Sequence, residues 1–385
     1  MPKKKILWVV YDFVQAGGQR YVYEICKALN KEKYQIDFLK AAPLNHDKNW
    51  DHEFYYQPTL DLGCRIILLE DVLKSGIRSI KEKIKHKFYS VLNLETSAIS
   101  ANDANKRLQN FFNGYDVLNF SGIAVYETTC IHKNLHPENA FIHILTFGFQ
   151  HPKMYDGYDK SVNYKFISPV TSGAVKKDLI GFCNYSFTYF PLCFETSPYD
   201  LIKSKNNERF KIAIFTRLSA MKPLDPFFYS LKILLEQGVD VELNIYGSGD
   251  PSGLGMIKQL EYLYLKDYVK FMGHSDSIPG TLKENTPDLL WFQSANKEPG
   301  GYAAFEISMS GLPQLFWDFM DTGEKREIGE IFPSFTNINP FVAFTKQVLM
   351  SENLQKELGE NQRQYVLKNY SIKNHIHTLE ELFDK

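Results

Sequence analysis

Two carboxylates, Glu298 and Glu306, stand eight residues apart with Gly300-Gly301-Tyr302 between them. The apolar runs Asp288-Leu289-Leu290-Trp291-Phe292 and Gln314-Leu315-Phe316-Trp317 bracket the segment and read as buried strands. What lies between is therefore predicted as a strand-to-helix loop and one short helix of a βαβ unit. Glycine lets backbone approach a ligand closely, and the first N–H groups of a helix attract phosphate. A nucleoside diphosphate fits at Gly300 and Gly301. Glu298 and Glu306 can then accept from hydroxyls on either side of the phosphates, and a nucleotide sugar carries hydroxyls at both ends. The plainer alternative is a surface loop with one capping and one solvated glutamate.

A second constellation is cationic. Phe210-Lys211-Ile212-Ala213-Ile214-Phe215 reads as a strand, and Arg217 and Lys222 bracket the short loop after it, with Pro223 suited to the first turn of the next helix. Two cations at a strand end are what a departing diphosphate requires as negative charge gathers on it. Two solvated side chains are the alternative. Near the start, Gly17-Gly18 separates the apolar run Ile6-Leu7-Trp8-Val9-Val10-Tyr11 from a stretch with Val22, Ile25, Cys26 and Leu29 at helical spacing. Strand, glycine pair and helix make a turn able to face phosphate, and an ordinary tight turn explains the glycines equally well.

The elements that must hold these residues alternate between apolar runs and helical stripes over 385 residues, long enough for two domains with separate cores. The expected division is residues 1–192 as a first α/β domain, 193–208 as a linker, 209–369 as a second α/β domain, and 370–385 as a final helix. The formal net charge of -1 implies no general attraction to nucleic acid. Five scattered cysteines without a CxxC pair point to reduced thiols in a cytoplasmic protein, without structural zinc. No apolar stretch approaches the ~20 residues of a spanning helix, so membrane contact is expected to be peripheral at most. Residues 74–92 offer such a contact: Ile77, Ile80, Ile84, Phe88 and Val91 form one helical stripe among Lys74, Arg78, Lys81, Lys83, Lys85 and Lys87. A basic amphipathic helix of this kind lies on an anionic membrane surface or is simply solvated.

The Glu298/Glu306 spacing resembles the Glu-x7-Glu motif of the large retaining glycosyltransferase family 4-like group, built on the GT-B fold of two Rossmann-like domains facing a cleft. The Arg217/Lys222 loop resembles that family's Gly-Arg-Leu-x-x-x-Lys-Gly segment, with Thr216 and Pro223 replacing its glycines. Gly17-Gly18-Gln19-Arg20 resembles its Gly-Gly-x-Glu-Arg segment, with Gln19 at the usual glutamate. The likeness implies that 1–192 is the N-terminal acceptor-side Rossmann-like domain, 209–369 the nucleotide-sugar-binding one and 370–385 a helix packing on the first. It implies that Glu298 meets the donor sugar, Glu306 the nucleotide ribose and Arg217 and Lys222 the phosphates, with Gly17, Gly18, Gly300, Gly301 and Tyr302 among the donor-binding residues. It also implies donor-binding turns at Gly247 and Gly273. A histidine near the donor sugar is common in the family; Phe147 occupies that register here and His151 is the nearest substitute. His143, inside a strand pattern, reads as structural.

With no Asp-x-Asp to hold a metal on the diphosphate, the resemblance implies a metal-independent retaining hexosyltransferase. It would use a UDP- or GDP-sugar and no cofactor, and a glycan or lipid-linked saccharide acceptor of envelope polysaccharide or glycolipid synthesis. A GT-B nucleotide-sugar epimerase and a degenerate GT-B binding module are the rival readings.

Overall fold

A computed structural model of the chain describes residues 2–42, 53–74, 101–145, 158–169, 184–201, 209–220, 222–294, 301–319 and 331–385. The chain forms two compact units, one made of Met1–Pro191 with His375–Lys385 and the other of Leu192–Asn374.

The first unit is built on a seven-stranded, all-parallel sheet. Its strands are β1 (Lys4–Val10), β2 (Tyr34–Lys40), β3 (Arg65–Leu68), β4 (Val117–Phe120), β5 (Ala140–His143), β6 (Asn163–Ser168) and β7 (Asn184–Tyr189), in the order β3-β2-β1-β4-β5-β6-β7. Parallel strands covered on both faces must be apolar throughout. Ile6, Leu7, Trp8 and Val9 are fully buried accordingly, and Leu7, Val9, Leu118, Phe120, Ile142 and Phe166 belong to one core. The helix Ile376–Asp384 closes this unit. Its Phe383 ring packs on Tyr34 and Phe141, Lys4 and Lys33 donate to the Phe383 carbonyl and the Asp384 carboxylate, and the Asn30 N–H donates to Glu380. The chain thus returns to its first domain at the end, as the sequence led us to expect.

The second unit repeats the plan. β8 (Phe210–Phe215), β9 (Val241–Tyr246), β10 (Val269–Gly273), β11 (Leu289–Ser294), β12 (Gln314–Asp318) and β13 (Ser334–Phe335) form a parallel sheet in the order β10-β9-β8-β11-β12-β13. Ile212, Ile214, Leu243, Ile245 and Trp291 bury one face against Phe227 and Leu231 of the helix Asp225–Glu236 and Phe341 of the helix Ile338–Leu349. That first helix carries Pro226 in its opening turn; Pro223 lies ahead of it, so the expectation for Pro223 is corrected. The segment after Pro191 belongs to this unit from Leu192 onward, since Phe194 is buried, stacks on Phe305 and bridges to Ser371.

Both sheets run outward in opposite directions from their first strand, which makes the β1/β4 and β8/β11 gaps topological switch points. Open α/β sheets bind ligands there, beyond the strands' carboxyl ends.

Candidate functional site

The sequence of the second unit brings its cations to one of these gaps. β8 ends at Phe215, and Thr216 to Lys222 follow it. Hydrogen bonds stitch this loop to the next: the Thr216 N–H donates to the Tyr246 carbonyl at 2.9 Å and the Leu218 N–H to the Ser248 carbonyl at 2.8 Å. So close is the approach that a Cβ on Gly247 would fall 1.7 Å from the Thr216 oxygen, and one on Gly249 2.4 Å from the Leu218 oxygen. Glycine at 247 is thus required by the approach of the Thr216 backbone. Gly247 in turn donates to the Gly273 carbonyl at 2.8 Å. Gly273 has φ +80° with open space where a side chain would stand.

Arg217 and Lys222 are both exposed to solvent. The Lys222 ammonium is nonetheless held below the ordinary lysine pKa, first by partial loss of hydration and then by repulsion from the Arg217 guanidinium. Their exposure screens that repulsion. Among the described residues no carboxylate reaches Lys222 within ion-pair distance. Two like charges are therefore kept near each other beyond the carboxyl end of β8.

On the other side of the β8/β11 gap, Gly301 has φ +75° and ψ −163°, a conformation for which glycine is suited, and nothing lies within 4 Å of where its Cβ would be. It opens the helix Tyr302–Ser308. Tyr302 turns inward: its hydroxyl donates to the Cys193 carbonyl at 3.3 Å and its ring meets Phe194 and Phe305. The phenol is thus packed within the unit. Glu306 is half-buried, and its backbone carbonyl accepts from the Tyr199 hydroxyl at 3.2 Å. Burial and then the Glu306 charge push the Tyr199 phenol well above its ordinary pKa.

The pins that hold this helix were not foreseen. The Gln314 side chain donates to the Ala304 carbonyl at 3.0 Å and Ser308 Oγ at 2.8 Å, while Gln362 exchanges two 2.9 Å hydrogen bonds with the Gln314 backbone. The Gln362 amide is satisfied at both ends, whereas Gln314 donates twice and leaves its buried Oε1 without a hydrogen-bond partner.

In the first unit, Gly17 and Gly18 are the opening residues of the helix Gly17–Ala28. A Cβ at Gly17 meets nothing, whereas one at Gly18 would lie 3.4 Å from Leu145. Gln19 reaches back to Asp12 at 2.5 Å and Arg20 pairs with Glu24 at 3.5 Å. His143 is fully buried between the Tyr21 hydroxyl, 3.1 Å from Nδ1, and Asn119 Oδ1, 3.0 Å from Nε2; burial pushes its pKa down to about 3. It is a neutral core residue. Glu298, Gly300 and His151 lie outside the described residues, as do Phe147 and all but the first residue of 74–92. Among the described residues no group of His, Cys, Asp or Glu is placed to hold a metal, and no helix is long and apolar enough to cross a membrane.

No protein-family profile and no curated protein sequence matches the chain. Solved structures do. HepE of Anabaena with UDP is 13% identical and superimposes with a TM-score of 0.67 over 99% of each chain. A variant of TarM from S. aureus, with UDP, fondaparinux and alpha-GlcNAc-glycerol, is 13% identical with a TM-score of 0.65 over 99% of this chain and 100% of that one. The pneumococcal O-GlcNAc transferase GtfA with UDP and GlcNAc is 11% identical with a TM-score of 0.63 over 100% and 99%. With its two parallel-sheet Rossmann-like units, the chain has the GT-B fold.

Proposed function

We propose that the protein is a metal-independent, retaining glycosyltransferase that moves a sugar from a nucleoside diphosphate sugar to a glycan or lipid-linked saccharide. The observation that carries this reading is the Arg217/Lys222 pair, two cations held near each other on the loop beyond β8 at a topological switch point. The shared fold with proteins seen with UDP supports a UDP-sugar as donor.

In this reading Arg217 and Lys222 receive the diphosphate and stabilise the charge that grows on it as the sugar departs. The acceptor hydroxyl forms its bond to the anomeric carbon on the leaving-group side, and its proton passes to the departing phosphate oxygen. Glu306 accepts from the ribose hydroxyls, and Glu298 from those of the donor sugar. Little covalent chemistry falls to the protein, whose task is position and charge. His151 is the candidate for a further contact to the donor sugar, and residues 74–92 for contact with an anionic membrane.

Incubating the protein with several nucleotide sugars in the presence of a chelator tests the reading. Slow release of free nucleoside diphosphate is expected. Isomerised donor with no release would identify an epimerase, and untouched donor a binding module; either result overturns the proposal.

A further inference from the structure

β8 and β11 pair at Leu289 with Ile212 and Leu290 with Ala213. Beyond those rungs the two strands part, while β11 continues to Ser294 in register with β12. A side chain spans the opening that results. Gln293 is 8% exposed; its amide oxygen accepts from the Thr216 hydroxyl at 2.8 Å, and its amide nitrogen donates to the Pro223 carbonyl at 2.6 Å. Thr216 immediately precedes Arg217, and Pro223 immediately follows Lys222. One buried amide therefore grips both ends of the segment that carries the two cations.

We infer that Gln293 is a positioning residue that sets the placement of Arg217 relative to Lys222, so that both meet one diphosphate. The inference rests on the proposed donor. The backbone bonds to Tyr246 and Ser248 restrain the segment on its Arg217 side. On the Lys222 side, among the described residues, the hydrogen-bonded tie to the sheet is the Gln293 amide. Like charges held close resist their own placement, so a restraint is required there. An amide side chain offers an acceptor to the threonine and a donor to the proline carbonyl at once, whereas an ionised glutamate has no donor and leucine has neither.

Gln293→Leu, Thr216→Val and Thr216→Ser test this with two readouts. The first needs no ligand: amide hydrogen exchange at Leu218 and Lys222, with the amides of β9 as internal reference. The second compares affinities for a nucleoside diphosphate and for the bare nucleoside. In Gln293→Leu, exchange at Lys222 should rise while β9 stays protected, and diphosphate affinity should fall about tenfold with nucleoside affinity kept. Thr216→Val should move both readouts the same way by less, Thr216→Ser should restore them, and adding Thr216→Val to Gln293→Leu should cost little more. Unchanged exchange and diphosphate affinity in Gln293→Leu overturn the inference, as do equal losses for nucleoside and diphosphate, which mark a general defect. Should Gln293→Leu fail to fold, the contrast between Thr216→Val and Thr216→Ser decides. A wild type that binds no nucleoside diphosphate would sink the functional reading, and the exchange data would still judge whether Gln293 holds the loop.

Discussion

The Tyr34 hydroxyl donates to the Asp384 carboxylate at 3.0 Å, joining β2 to the last helix of the chain across 350 residues of sequence. Lys33 pairs with the same carboxylate, and these contacts hold Asp384 below the ordinary aspartate pKa, the Lys33 hydrogen bond most of all. For a carboxylate depressed in the folded state, the stabilisation is present above the unfolded pKa and is lost as pH falls through the lowered value. The final helix should accordingly stay docked through neutral pH and loosen only at acidity below the usual aspartate range. NMR titration of the Phe383 ring and the Asp384 carboxyl would follow this. In Asp384→Asn that acid-dependent step should vanish.

Gly359 tests the packing that supports Glu306. A Cβ there would fall 1.8 Å from the Gly311 carbonyl oxygen, so the helix Glu352–Asn369 crosses the end of the Tyr302–Ser308 helix in backbone contact. Gly359→Ala must push these elements apart and should lower stability by about 1–3 kcal/mol, as overpacking does. Denaturant unfolding of the variant beside the wild type measures it.

The glutamates should separate by ligand. Glu306→Ala should weaken free nucleoside diphosphate by about 1.5–3 kcal/mol, the worth of a hydrogen bond to a charged group. Glu298→Ala should spare free nucleotide and damage sugar transfer. Equal calorimetric losses for both variants would reject this division.

The cations should act on turnover. Arg217→Ala or Lys222→Ala should cost ~100-fold or more in turnover, because charge at the leaving group is greatest in the transition state. Since Lys222 titrates below an ordinary lysine, diphosphate affinity should fall on the alkaline side earlier than lysine's usual range predicts. Removing Arg217 relieves one cause of that shift and should move the fall to higher pH, which calorimetry across a pH series would detect.

Much of this fold was legible because parallel strands buried on both faces leave continuous apolar runs. Phe210–Phe215 and Val241–Tyr246 coincide with the runs that announced them. Asn184–Tyr189 did not announce itself; it lies at the sheet edge, and its alternation of Tyr185, Phe187 and Tyr189 with polar residues is the one signal available. The break between the helices Ile338–Leu349 and Glu352–Asn369 was also missed, although Ser351 accepts from the Leu354 N–H as a cap should. In the site, the cations were visible because charge at a strand end is a local signal. Gln293 was not, because its meaning depends on partners 77 and 70 residues away that only the strand order brings beside it. The same holds for Gln314 and Gln362, 48 residues apart. The backbone approach that fixes Gly247 was not legible either, since a glycine required by a neighbouring stretch of chain and one required by a ligand look alike in sequence.

The first unit is assembled from two separate stretches of chain, with the whole of Leu192–Asn374 made between them. At ~5–20 residues per second, roughly 10–40 s of synthesis separate Pro191 from the helix that completes its sheet. During that interval the surface that Phe383 covers on Tyr34 and Phe141 stays open to water and to chaperones, while the second unit, continuous in sequence, has every residue it needs before the first one does.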